Sequence, residues 1–168
     1  MSTTLAQLAQ SIGTSSLHDL LVAWLRTVPG LPPIVQTLHI LSIAVVMGSI
    51  VMIDLKVLGL ALPSQNTGEM MRRLLPWTWS ALVLLAISGL VFVIARPRRY
   101  FVNPVFGIKV ALLLPAIVLT AVLHRLHKRP TVPSALVKCI AALSLPLWLG
   151  VMLAGRWIAY ADYLFPPD

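Results

Sequence analysis

The sequence predicts an all-α fold: a four-helix transmembrane bundle with an N-terminal amphipathic helix lying in the membrane interface. Three observations lead there. First, 58% of the 168 residues are hydrophobic and only 11% are charged, whereas soluble domains carry about 25% charged residues. With a mean hydropathy of +0.90, the chain lacks the polar surface to cover a water-soluble globule. Second, four apolar runs approach or exceed the roughly 20 residues that cross a bilayer. Third, the net charge of +8 comes mostly from short segments between those runs. Basic residues there meet anionic lipid head groups, so the partner implied is the lipid bilayer and not nucleic acid. Length allows one domain.

Residues 1–33 form a tail and the interfacial helix. The first 14 residues are small and polar and are expected to be loosely ordered. They lack the basic start, apolar run and small-residue site of a signal peptide, so no cleavage is expected. In SSLHDLLVAWLRTVPG, Leu17, Leu20, Leu21, Trp24, Leu25 and Val28 recur at helical spacing. Ser16 followed by Asp19 resembles a capping box, and Pro29-Gly30 ends the helix. It is too short to span, so Trp24 should point into the interface while His18, Asp19 and Arg26 face water or head groups.

Residues 34–168 hold the four spans, at about 34–60, 76–95, 106–123 and 135–159. Pro32-Pro33 lead into span 1. The stretch PSQNTGEMMRR reads as a loop, with Pro76 at the tolerated first turn of span 2. RPRRYFVNP and HRLHKRP separate the remaining spans. Pro115 and Pro146 lie inside spans 3 and 4, where each frees a carbonyl and kinks the helix. Gly150 and Ala154 form a small-xxx-small pair that allows close helix approach.

Four spans return the chain to the side where span 1 begins, here side B; the other is side A. Lysine and arginine are nearly balanced between the two, so the positive-inside rule leaves orientation open. Cys139 is the lone cysteine, so no internal disulfide forms.

Ionisable groups inside spans are costly and mark sites or structural pairs. His39 lies roughly 8 Å into span 1 and His124 roughly 25 Å along span 3, so they differ by about 17 Å in depth. They do not share one iron or metal, and spans 2 and 4 hold no histidine. Around His39, side B collects Gln36 on span 1, Lys109 at the start of span 3, and Arg156, Trp157 and Tyr160 from GRWIAYAD. An imidazole, a guanidinium and a phenol at one depth suit a haem or quinone head group, with His39 as the best metal candidate. The alternative is that they hydrogen-bond across helices and anchor span 4. On side A, Asp54 is expected to form a structural ion pair, with Lys138 as partner; a proton or cation relay is the other reading. His124 and His127 at i, i+3 amount to a weak cation site beside basic neighbours. Met47, Met52 and Met152 are soft enough for copper, though methionine also fills packing gaps. With no phosphate loop, catalytic triad, metalloprotease motif or CxxC, the sequence points away from an enzyme.

LHILSIAVVMGSIVMIDLKVLGL, with GRWIAYAD closing span 4, resembles a group of uncharacterised bacterial four-helix membrane proteins. More distantly, the Leu-His pair and following apolar run of span 1 are similar to the copper-resistance D type of membrane domain. The first resemblance implies a multi-pass protein of the bacterial inner membrane. The second implies copper handling, with His39 the matching position. The functional expectation is a small ligand-binding accessory of a membrane redox system. The alternatives are a copper-linked transporter and a structural subunit packed against other membrane subunits.

Overall fold

A computed structural model describes residues 2–127 and 134–160. Seven helices run through these residues: α1 Ser2–Gly13, α2 Ser16–Thr27, α3 Leu31–Leu58, α4 Thr67–Ala95, α5 Pro97–Phe101, α6 Pro104–His127 and α7 Ser134–Trp157. A 3-10 turn, Ile158–Tyr160, follows α7. The helices α3, α4, α6 and α7 are each long and apolar enough to cross a bilayer. The chain is therefore an all-α, multi-pass membrane protein built on a four-helix bundle.

Three segments depart from the sequence expectation. The first 14 residues are not loose: Leu5, Leu8, Ala9 and Ile12 follow the i, i+3, i+4, i+7 pattern and form the apolar stripe of α1. Ala9 is buried, and α1 packs against α5, itself a helix where a loop was expected. The third is α4, which begins two turns early. Asn66 caps it, its Oδ1 accepting from Gly68 N at 2.9 Å and Glu69 N at 3.2 Å. Met70, Met71 and Leu75 then turn inward, so the charged stretch is helical and Pro76 lies inside the helix. Glu69 meets Arg73 at 2.5 Å and Arg72 at 3.9 Å along this exposed first turn.

Backbone chemistry sets the ends of α2 and α3. Ser15, not Ser16, caps α2, its Oγ accepting from His18 N at 3.2 Å. Gly30 takes φ +82° ahead of α3, and Pro32 and Pro33 fill its first turn, where a missing N–H costs nothing. At the far end Gly59 adopts φ +79°, and Leu60 N reaches back to Leu55 O at 2.9 Å. That left-handed cap favours glycine.

His18 is not turned to water. Its Nδ1–H donates to the Ile94 carbonyl at 2.7 Å, one of the last carbonyls of α4, which have no donor within their own helix. The bond pins α2 to the side B end of α4. Nearby, Tyr100 of α5 packs edge-on against Phe106. Burial there pushes the Tyr100 hydroxyl pKa up, partly offset by Arg99 and Arg96.

In the bundle, α4 packs on α3, α3 on α7 and α7 on α6. The fourth side, between α4 and α6, is closed only by side chains. Two apolar layers involve all four helices. One gathers Ile53, Met71, Leu75, Leu123, Ile140 and Ala141 toward side A. The other gathers Val46, Ile50, Ala81, Ala116 and Trp148 at mid-depth. Lipid tails are as apolar as these side chains, so close packing and interhelical hydrogen bonds hold the bundle. Trp148 Nε1 donates to Thr120 Oγ1 at 3.0 Å, and that hydroxyl donates to Ala116 O at 2.9 Å. A Cβ added to Gly150 would stand 3.1 Å from Leu112, which shows how closely α6 and α7 approach there.

Candidate functional site

On side B, His39 sits half-buried between α3 and α4. Its Nδ1 lies 2.8 Å from Ser88 Oγ, and its ring meets Phe92 edge-on at 5.5 Å. The direction of the bond follows from counting protons. Ser88 has a single hydroxyl proton, and its Oγ stands only 2.6 Å from Leu84 O. That proton goes to the carbonyl, so Oγ accepts from His39 Nδ1–H. A neutral imidazole in this tautomer keeps its lone pair on Nε2, free to accept a proton donor or a metal.

Lys109 is the cation that the bundle brings within electrostatic range of His39. It starts about 8 Å inside α6, at 1.5 Å per residue, and runs across the bare face of Gly155. A Cβ at position 155 would lie 3.4 Å from Lys109 Nζ, so glycine makes room for the ammonium. No described carboxylate pairs with it.

The remaining residues expected at this site face outward. Arg156 Nη2 donates to the Tyr160 hydroxyl at 2.8 Å and stacks 5.0 Å over that ring. Arg156, Trp157 and Tyr160 are all exposed, because the inward face of α7 runs through Trp148, Val151 and Ala154. Two residues past Ala154, a helix has turned about 200°. Gln36 is likewise exposed. Arg156 thus pairs with Tyr160 at the end of α7, and Lys109 is the cation near His39. Asp162, the last residue of GRWIAYAD, lies outside the described residues.

About one turn toward side B from His39 and Ser88, neither of which lines it, is an apolar recess of about 220 Å³ bounded by Leu17, Leu21, Trp24, Leu25, Val35 and Val91 among others. Val35 is four residues before His39 and Val91 three after Ser88, so both stand one turn toward side B on the same faces. The amphipathic helix α2 therefore forms a wall beside the polar pair.

Side A is arranged differently. Asp54 is 1% exposed and lies beside Ser144 of α7. Neither Asp54 Oδ2 nor Ser144 Oγ has a hydrogen-bond partner. The expected ion pair with Lys138 does not form: Lys138 is exposed, and it lies six residues, or about 9 Å, from the level of Ser144 along α7. Lys56 turns away as well, donating to Leu62 O at 2.7 Å and Pro63 O at 3.2 Å. A cavity of about 10 Å³ adjoins Asp54, lined by Thr120, His124, Met71 and apolar neighbours.

Among the described residues no three His, Cys, Asp or Glu side chains converge on a common point. Met52 and Met152 are exposed, whereas Met47 packs in the mid-depth layer. The side chain of His127 is outside the described set.

Ser88 and Ser144 are the site residues that sequence reasoning missed. Both are serines inside apolar runs, a signal overshadowed by the ionisable residues. A family model matches residues 19–161, and the chain belongs to that family, a family of unknown function, DUF6644. No curated protein and no solved structure matches the chain. Nothing in these comparisons ties it to the copper-resistance D type of domain.

Proposed function

We propose that this chain is a multi-pass protein of the bacterial inner membrane that binds a quinone-type head group at side B, as an accessory of a membrane redox system. The observation that carries the reading is the 2.8 Å bond between His39 and Ser88. With Nδ1–H committed to Ser88, Nε2 is the acceptor a quinol hydroxyl needs, and Lys109 offers donors to the oxygen of the oxidised ring. The recess supplies an apolar wall for the ring. Its volume of about 220 Å³ is below the roughly 300–1,000 Å³ of larger ligand sites, which favours a single ring over a tetrapyrrole. A ligand dissolved in the bilayer reaches such a site laterally.

The test is a titration of detergent-purified protein with a short-chain benzoquinone, followed by tryptophan emission. Trp24 lines the recess, so saturable quenching is expected in the wild type and much less in Trp24→Phe. His39→Ala should weaken binding by up to about tenfold, because one hydrogen bond contributes about 0.5–1.5 kcal/mol and 1.4 kcal/mol is a factor of ten. Quenching that His39→Ala leaves unchanged, or a Soret band from the purified protein, removes the reading.

A further inference from the structure

Among the described residues, Asp54 is the one acid that lies within a membrane-spanning helix at bundle depth. It is 1% exposed, its Oδ2 has no hydrogen-bond partner, and no cation approaches it among the described residues. An ionised carboxylate in this position is heavily penalised, because burial removes its water and only the nearby Ser144 hydroxyl offsets part of that loss. The other neighbours add little. From α4 it is faced by Met71 and Leu75, and from α6 by Thr120, Leu123 and His124 across the cavity. From α7 it meets Ser144. His124 is the only titratable group in that set. Thr120 donates to Ala116 and accepts from Trp148, which leaves its oxygen one lone pair to accept with.

We propose that Asp54 is a proton-binding site: its carboxyl holds a proton in the membrane interior and exchanges it through one water in the adjoining cavity. The cavity, at about 10 Å³, has room for a single water. Asp54, Thr120 and His124 are the polar residues that line it, so a water there has the two or more partners it needs. Protonation converts an unpartnered acceptor into a hydroxyl that donates to that water, with no other bond broken. A metal cation suits the place less well, because His124 in the same wall adds no negative charge and only one carboxylate is present. The site stands independently of the quinone reading at side B, so either can fail alone.

Infrared spectroscopy of the full-length protein in lipid nanodiscs tests this. At about pH 6, two units above the usual aspartate pKa of about 4, a protonated-carboxyl C=O band is expected in the wild type. It should move on transfer to D₂O and be absent from Asp54→Asn. Should that variant fail to fold, Ser144→Ala provides the check, since removing the neighbouring hydroxyl should shift the band. A wild-type spectrum with no such band overturns the proposal. So does a band abolished by sodium, which would make the ligand a cation, or a band that Ser144→Ala and D₂O both leave unmoved.

Discussion

The two ends of the bundle handle buried polar groups in opposite ways. At side B, His39, Ser88 and the Leu84 carbonyl form a chain in which each proton has a defined acceptor. At side A, Asp54 and Ser144 lie side by side with unpartnered oxygens. Both sets cost free energy to bury, yet one is satisfied within the protein and the other waits for something small. The difference shows that residue type alone does not define a site. A histidine in a span becomes a directed acceptor only because a serine on the next helix fixes its tautomer. An aspartate in a span is left without an ion pair because Lys56 and Lys138 turn away.

The apolar layer around Trp148 keeps these ends apart, so the largest effect is expected there. Trp148→Ala should destabilise the bundle by about 3–5 kcal/mol, the range for emptying a large aromatic site, as read from thermal unfolding in detergent. An unchanged midpoint would show that the middle layer is not what separates the two polar clusters. Ser88→Ala comes next. It leaves the His39 Nδ1–H without an acceptor and should cost about 0.6–2 kcal/mol, the span for interhelical polar contacts in membranes. No loss of stability would mean that the hydrogen bond at side B is not formed. The smallest effect is at Lys138. Its replacement by Met should change stability by less than about 0.5 kcal/mol, as for an ordinary surface position. A loss of about 3–5 kcal/mol, typical of breaking a buried ion pair, would restore the Asp54–Lys138 pair and erase the contrast between the ends.

The spans were legible because hydropathy and length act on every residue of a run. Helix starts were less so. Asn66 and its following charged turn read as a loop, since the cap lies ten residues ahead of the proline that seemed to mark the helix. The stripe of Leu5, Leu8, Ala9 and Ile12 was present but hidden among polar neighbours. At the site, depth along a helix is readable for His39 and Lys109, because rise per residue is fixed. Azimuth failed for Arg156 and Gln36, because which face turns inward depends on the neighbouring helices. Partners such as Ser88 and Ser144 follow from the pairing of α3 with α4 and with α7, which one sequence does not specify.

The most direct measurement is photolabelling in native membranes with an azido-benzoquinone, with the labelled peptides mapped by mass spectrometry. The expected result is label on the recess residues of α2, α3 and α4, such as Trp24, Val35 and Val91, competed by unlabelled quinone and reduced in His39→Ala. Label spread evenly over the lipid-facing residues of all four spans, with no competition, would contradict a binding site at side B.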